Sequence, residues 1–173
     1  MSLLTILRYP DAKLHLKAKP VNTFDDNLKE LVQNMAHTMY DNNGIGLAAT
    51  QVNIQKRIFI VDLSKDDELK NLHTFINLEI LEKYGQVDSE EGCLSVPDIY
   101  ETVKRYEKIK VRYQTLDGTL KEDNFDGMMA ICIQHENDHL YGRVFVEYLS
   151  ALKQKFIKKK LKKSLIQSGI LDR

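Results

Sequence analysis

The chain is organised around residues 127–142, which read Gly-Met-Met-Ala-Ile-Cys-Ile-Gln-His-Glu-Asn-Asp-His-Leu-Tyr-Gly. Asp126 precedes this stretch and Gly142 closes it, as expected for a helix that ends at a glycine in left-handed backbone. Residues 128–133 are apolar, so we expect the helix to be buried. Histidines and carboxylates follow at its end. Buried charge without a partner is costly, so these side chains need an interaction that compensates for their burial.

The end of this helix carries the pattern His-Glu-x-x-His. His135 and His139 are one helical turn apart and share a face, from which both imidazoles can reach one metal ion. Glu136 lies beside them and can contact a water at the metal without being a ligand. The pattern therefore predicts a metal-dependent amide hydrolase with Glu136 as its general acid and base.

Two histidines are too few for a hydrolytic metal site, which usually takes three protein ligands. The long zinc-protease pattern supplies a third histidine at the position where this chain has Phe145. Glu147 is another candidate by residue type. It directly follows residues 144–146, which predict a strand.

The two cysteines are further candidates for the third ligand. Cys132 lies about 10 Å along the helix axis from His139, too far for both to bind one ion, so it is predicted to be a wall beside the site. Cys93 lies in residues 90–97 (Glu-Glu-Gly-Cys-Leu-Ser-Val-Pro), a predicted rigid loop. The residues alone leave Cys93 and Glu147 open as ligands.

The rest of the chain predicts helices and strands without a regular alternation of the two. Apolar residues at three- and four-residue steps predict a helix over 26–40, capped by Thr23 or Asp25. The basic stretch predicts a C-terminal helix over about 151–167. Strands are predicted at residues 57–63, 72–80, 108–116 and 119–125, the last two joined by an Asp-Gly turn. This mixture favours a single α+β domain over residues 1–173.

Composition limits the class of protein. Hydrophobic residues make up 43% and charged residues 29%, which is typical of a globular chain and excludes a disordered one. No apolar run approaches the roughly 20 residues of a membrane-spanning helix. The N-terminus lacks the pattern of a secretory signal, so we expect a cytoplasmic protein with no membrane contact and with reduced cysteines.

Two further stretches complete a set of motifs. Residues 44–51 (Gly-Ile-Gly-Leu-Ala-Ala-Thr-Gln) lack the Lys-Ser/Thr of a phosphate loop, and their small side chains would let a substrate backbone approach closely. Together with residues 91–95 (Glu-Gly-Cys-Leu-Ser) and 134–140, they resemble the three motifs of peptide deformylase in the same order. The resemblance covers essentially the whole chain and is nearest to the bacterial class with a helical C-terminal tail.

The resemblance implies a fold and an activity. The fold would consist of antiparallel or mixed β-sheets packed around a central helix, with a C-terminal helix. The activity would be removal of the N-formyl group from the initiator methionine of nascent polypeptides, with release of formate. Cys93, His135 and His139 would hold Fe²⁺, which Zn²⁺, Ni²⁺ or Co²⁺ can replace in preparations.

Catalytic roles follow from the same resemblance. A water at the metal would attack the formyl carbon, with Glu136 as general base and then as general acid. The side-chain amide of Gln51 and the backbone N–H of Leu94 would stabilise the oxyanion.

The resemblance also implies substrate contacts. Backbone groups of Ile45, Gly46 and Gly92 would bind the peptide. The pocket for the methionine side chain would be lined by Met128, Ile131, Cys132 and His135. Close bacterial relatives often carry an arginine where this chain has Tyr100, so the contacts at that rim are expected to differ.

Charge is distributed unevenly, which suggests a partner. Residues 151–173 hold eight Lys or Arg and one Asp, whereas residues 1–150 carry a net charge of −7. The basic tail is either a solvated helix packed on the body or a surface attracted to ribosomal RNA, as the resemblance suggests. We expect a monomer that acts on N-formyl-methionyl nascent peptides and binds the ribosome through this tail.

Two other classes of protein compete with the hydrolase interpretation. The first is a small metalloprotease, against which Phe145 argues. The second is an inactive ribosome- or RNA-binding module that uses the basic tail. Retention of Gln51, Cys93 and Glu136 argues against lost activity.

Overall fold

A computed structural model of the chain describes residues 1–65 and 70–170. Within them lie three α-helices and one five-stranded antiparallel sheet, which confirms the predicted α+β class. The helices are α1 (Asp26–Asp41), α2 (Gly127–Leu140) and α3 (Ala151–Gln167). The strands, in the order in which they pair, are β1 (Gly46–Ala48), β2 (Ile58–Val61), β3 (His73–Cys93), β4 (Val96–Gln114) and β5 (Leu120–Asp126).

Helix α1 confirms the predicted apolar periodicity. Its N-cap is Asp25, whose side chain accepts a hydrogen bond from the backbone N–H of Leu28 at 3.0 Å. The apolar face packs against β1 and β2 in one hydrophobic cluster. This packing holds the chain that leaves α1, residues 42–46, beside the sheet.

Strands β3 and β4 form one long hairpin, and their extent was not predicted from the sequence. The predicted strands 72–80 and 108–116 are only the far ends of this hairpin. The intervening residues are charged rather than alternately apolar, and cross-strand partners such as Asp88 and Lys104 pair instead. Cys93 therefore ends a paired strand opposite Val96 rather than lying in a separate loop.

Helix α2 is largely buried, as predicted, and packs against the sheet. Its end is fixed by Gly142, which adopts φ +78°. A Cβ at this position would lie 2.4 Å from the carbonyl oxygen of His15, so both the backbone angle and the close approach require glycine. The helix therefore ends at a defined residue with its polar end against the N-terminal segment.

Helix α3 confirms the predicted boundaries 151–167. Its N-cap is Ser150, whose hydroxyl accepts a hydrogen bond from the backbone N–H of Lys153. The buried side chains of Ile157 and Leu161 join a cluster that includes Tyr9 and Val96. The helix is thus packed on the body along one face. No helix among residues 1–65 and 70–170 is long and apolar enough to span a membrane.

The strand predicted at residues 144–146 is wrong. Residues Phe145–Tyr148 form a short 3₁₀ helix. Its turn is closed by the side chain of Glu147, which accepts a hydrogen bond from the backbone N–H of Val144 at 3.0 Å. Glu147 also contacts Nε2 of His15 at 2.9 Å.

Candidate metal centre

Three side chains from two distant parts of the chain converge beside α2. Cys93 is brought there by the end of β3, and His135 and His139 by one face of the helix. Their ligand atoms all lie within 4.8 Å of one another. Nε2 of His139 is 3.4 Å from Sγ of Cys93 and 3.3 Å from Nε2 of His135.

These distances fit one metal ion. Tetrahedral bonds of about 2.0–2.3 Å place neighbouring ligand atoms roughly 3.3–3.7 Å apart. One thiolate and two imidazoles form a donor set suited to Zn²⁺ and to other divalent transition metals. Among the described residues, this is the one group of three or more His, Cys, Asp or Glu side chains with metal-binding geometry. Neither Cys132 nor Glu147 belongs to it.

Glu136 lies next to this group without joining it. Its Oε1 is 4.0 Å from Nε2 of His135, and its Oε2 is buried and has no hydrogen-bond partner among the residues that the structure describes. Buried carboxylate oxygens normally accept hydrogen bonds, so this one suits a water or substrate group held beside the ligand atoms. Gly46 makes room for the carboxylate, since a Cβ there would lie 2.5 Å from Oε1.

A buried chain of charged groups orients His135. Its Nδ1 is 2.7 Å from Oε1 of Glu91, which leaves Nε2 facing Cys93 and His139. Arg105 binds Glu91 with two hydrogen bonds of 2.7 and 2.8 Å. A carboxylate of this kind fixes the imidazole ring and its tautomer, as in the outer shell of many metal sites.

The same arginine connects Glu91 to the far side of α2. Arg105 is only 5% exposed and also donates to Asp138 at 2.7 Å. Burial alone would raise the pKa of Glu91, but hydrogen bonds from Arg105 and His135 lower it overall. Glu91 therefore stays ionised, and its negative charge is compensated within the protein.

Sequence reasoning missed Arg105 and Asp138 as supporting residues. Arg105 is one of many charged residues in β4, and only its inward position in the strand pattern distinguishes it. Asp138 lies within the helix motif, but its partner is 33 positions away in the sequence. Neither contact has a local signal.

Gln51 lies beside Cys93 and is 1% exposed. Its Oε1 accepts from the backbone N–H of Ala48 at 2.9 Å, and its Nε2 donates to Oγ of Ser95 at 3.1 Å and lies 3.4 Å from Sγ of Cys93. The half-buried Leu94 follows Cys93 in the turn between β3 and β4. Gln51 and Leu94 are thus brought to the metal centre together with Glu136.

A cavity of about 570 Å³ opens onto this group. Ile45, Gly46 and Gly92 lie in its wall, together with Tyr100. The ring of Tyr100 packs against Gly92, where a Cβ would lie 2.6 Å away. The residues predicted for the methionine pocket that do not line this cavity are Met128, which is exposed, Ile131, which is half-buried, and Cys132, which is buried.

Glu136 predicts a pH dependence of stability for the metal-free protein. Burial raises its pKa to about 7; Glu91 adds to the shift and His135 opposes it. Because the folded pKa lies above the ordinary 4.5, the protonated carboxyl contributes stability that is complete below about pH 4.5 and lost as pH rises through 7. The contribution is about 3 kcal/mol in free energy of unfolding.

Urea unfolding at pH 5 and pH 8 in the presence of a chelator measures this difference. Glu136→Gln stays neutral at both values, so the variant should lose less stability than the wild type between them. Equal losses in the two proteins would show that Glu136 is already ionised at pH 5.

The polypeptide deformylase family model matches residues 3–155. A peptide deformylase of Chromobacterium violaceum is 53% identical over 163 residues, which are 94% of this chain and 96% of that protein. Peptide deformylase 1 of Ralstonia nicotianae is 52% identical over 169 residues, 96% of this chain and 98% of that protein. The crystal structure of a peptide deformylase from Legionella pneumophila has a TM-score of 0.91 at 40% identity and covers 97% of this chain and 98% of its own. The chain belongs to the polypeptide deformylase family of hydrolases.

Proposed function

We propose that this chain removes the N-formyl group from the initiator methionine of nascent polypeptides and releases formate. The observation that carries the proposal is the group of Cys93, His135 and His139 with the buried carboxylate of Glu136 beside it. When bound there, a divalent metal supplies a Lewis acid and lowers the pKa of a water molecule toward about 7. The cavity leaves room for a peptide end above this group.

The reaction adds water across the formyl amide bond. Glu136 takes a proton from the attacking water and delivers it to the leaving amine, so the C–N bond breaks to give formate and a free amino terminus. Burial raises the pKa of Glu136 toward neutral in the metal-free protein, the direction that suits both proton transfers. The Gln51 side-chain amide and the Leu94 backbone N–H stabilise the negative charge on the formyl oxygen.

The substrate backbone lies along the edge of the sheet. Strand β1 is the terminal strand, so a peptide can pair beside Ile45 and Gly46 as an added strand, with Gly92 on its other side. As the resemblance implies, the methionine side chain would extend past His135 toward Met128, Ile131 and Cys132, which lie outside the cavity lining. Burial raises the pKa of the Cys132 thiol to about 12, so it presents a neutral and polarisable surface.

Formate release from a formyl-Met peptide tests the function, with metal analysis of the same sample. We expect one formate for each free amino terminus, and no cleavage of the peptide bond that follows methionine. Cleavage at that bond would support the metalloprotease alternative. Absence of both products in metal-loaded protein would contradict the proposal. The inactive RNA-binding module would then be the remaining alternative.

We infer that Fe²⁺ is the native and faster metal, as the resemblance of the three motifs to peptide deformylase implies. The thiolate and two imidazoles also accept Zn²⁺, Ni²⁺ and Co²⁺, so geometry does not choose among them. A thiolate beside Fe²⁺ is exposed to oxidation, since the thiolate is the oxidisable form of cysteine. Protein purified in air should lose activity over time, whereas the Zn²⁺ form should be stable but slower.

Anaerobic reconstitution measures this difference. Fe²⁺ or Ni²⁺ added to metal-free protein under nitrogen should restore fast turnover, and Zn²⁺ should give a slow and air-stable enzyme. Equal rates for Fe²⁺ and Zn²⁺, with no effect of air on either, would overturn the choice of iron without affecting the hydrolase proposal.

We propose that α3 attaches the monomeric protein to the ribosome in the bacterial cytoplasm. The helix carries seven lysines and no acidic residue. Ile157 and Leu161 pack on the body, and Lys155, Lys159 and Lys163 are exposed on the side of the helix away from them. A row of cations held in this way matches the phosphates of ribosomal RNA.

Substitution of Lys155, Lys159 and Lys163 by Gln should weaken ribosome binding and leave peptide turnover unchanged. The slope of log affinity against log salt should become shallower by about 2–3, because each neutralised phosphate contributes about one unit. Truncation is a poorer test, since it also removes buried side chains of α3. Gln at the exposed residues Lys83, Lys108 and Lys121 of the sheet is the matched control. Equal slopes for both triple variants would favour a purely structural tail.

A further inference from the structure

The amide of Gln51 is held at both of its terminal atoms. The backbone N–H of Ala48 donates to Oε1 at 2.9 Å. Since a backbone N–H can only donate, its partner must be the oxygen, and the other terminal atom is therefore the NH₂ group. The orientation of the amide thus follows from its hydrogen bonds.

The NH₂ group has two hydrogens and two neighbouring acceptors. One acceptor is the hydroxyl of Ser95, 3.1 Å from Nε2, and the other is Sγ of Cys93 at 3.4 Å. Ser95 is completely buried and Gln51 is 1% exposed, so bulk water does not compete for the first hydrogen. Ser95 thus engages one hydrogen and leaves the second directed toward the metal centre.

The backbone around Ser95 is itself fixed. Its carbonyl oxygen accepts from the backbone N–H of Tyr9 at 2.8 Å, and it lies in the turn that joins β3 to β4. The hydroxyl is therefore an anchored acceptor. Ala48 fixes which end of the amide faces inward, and Ser95 fixes the rotation of the amide plane.

We propose that Ser95 is a positioning residue that aims one hydrogen of the Gln51 amide at the formyl oxygen. The proposal rests on the proposed function, in which Gln51 stabilises the oxyanion. Ser95 acts through Gln51 and does not touch the substrate. Its loss should therefore reduce kcat by about 10–100-fold, the usual effect of removing a group that orients an active-site side chain, and change KM little. This decrease in kcat is no larger than the decrease expected on removing the oxyanion donor itself.

A double-mutant cycle tests whether Ser95 acts through Gln51. Ser95→Ala should lower kcat in the wild-type background, and it should have little further effect in Gln51→Ala protein. Ser95→Thr, which keeps the hydroxyl, should retain more activity than Ser95→Ala. Equal and additive losses in both backgrounds would overturn the proposal, because a merely structural residue costs the same whether or not Gln51 is present.

A second measurement does not depend on activity. In ¹⁵N-labelled, Zn²⁺-loaded protein, the Gln51 side-chain amide is identified as the pair of resonances that Gln51→Ala removes. The wild type should show two resolved hydrogens that exchange slowly with solvent. Ser95→Ala should accelerate that exchange, and Ser89→Ala, which removes another buried serine hydroxyl, should not. Fast exchange in the wild type alone would overturn the proposal without any variant.

The two measurements also separate this proposal from the proposed function. If wild-type protein released no formate but the Gln51 amide were protected by Ser95, the hydrolase proposal would fail and the contact would be structural only. If turnover were present and the cycle additive, the hydrolase would stand and the positioning role of Ser95 would fail.

Discussion

Glu136→Gln should lower the rate of formate release by at least about 10²–10⁴-fold and leave about one metal per chain. The amide is nearly the same size as the carboxylate, but it cannot accept and return a proton. Glu136 also lies outside the group of ligand atoms formed by Cys93, His135 and His139. Metal content and turnover should therefore separate in this variant.

The measurement is single-turnover formate release, with metal content determined on the same sample. Glu90→Gln is the matched control, because Glu90 is exposed on β3 and close in sequence to the site. It should leave both quantities unchanged. Loss of metal from Glu136→Gln would refute the assignment, since it would make Glu136 a ligand.

The parts of the fold that were predicted correctly have signals within a few residues. The periodic apolar residues of α1, its cap at Asp25 (one of the two predicted residues) and the glycine after α2 each operate over one or two helical turns. The Asp-Gly turn between β4 and β5 is equally local. Local backbone preference and tertiary packing agree at these positions, so the sequence pattern sufficed.

The long arms of β3 and β4 show where local signals fail. The middle residues of β3 are mostly exposed, and those of β4 are mostly charged or polar, so apolar alternation does not predict a strand in either. Backbone pairing joins them, with exposed cross-strand pairs such as Lys104 and Asp88 beside it, and this pairing becomes evident only when both strands are known. The incorrect strand at residues 144–146 has the opposite cause. Its β-branched and aromatic residues favour a strand, but they are buried in the core, where Phe145 and Val146 belong to a short 3₁₀ helix.

The residues of the candidate site likewise fall into those with a local sequence signal and those without one. His135 and His139 lie four residues apart, and helix geometry alone places them on one face. Cys93 was left open by residue chemistry and was identified only through the family motif, because it lies more than forty positions away. The contact between Arg105 and Glu91 crosses the β3–β4 hairpin and depends on its register. Distant contacts of this kind follow from the fold and not from the sequence pattern.

We expect Cys93→Ala to cause the largest loss of metal, and Cys132→Ala to leave the metal content unchanged. Cys93→Ala removes the only thiol within the group of ligand atoms, leaving two imidazoles. Because a hydrolytic site normally uses three protein ligands, we expect most of the metal to be lost on dialysis, and turnover with it. Cys132→Ala should keep about one metal per chain, because this thiol lies outside the ligand group. It packs instead in a hydrophobic cluster with Phe75 and Ile133, where burial raises its pKa.

Any effect of Cys132→Ala should fall on substrate binding. Truncating the thiol to a methyl group removes about one methylene-sized contact, roughly 0.8 kcal/mol, which corresponds to about a fourfold increase in KM for formyl-Met peptides. Each variant serves as the control for the other, because each removes one sulfur from the chain. Metal retained by Cys93→Ala and lost by Cys132→Ala would reverse the ligand set, and it would require α2 to bend so that Cys132 could approach His139 across two helical turns.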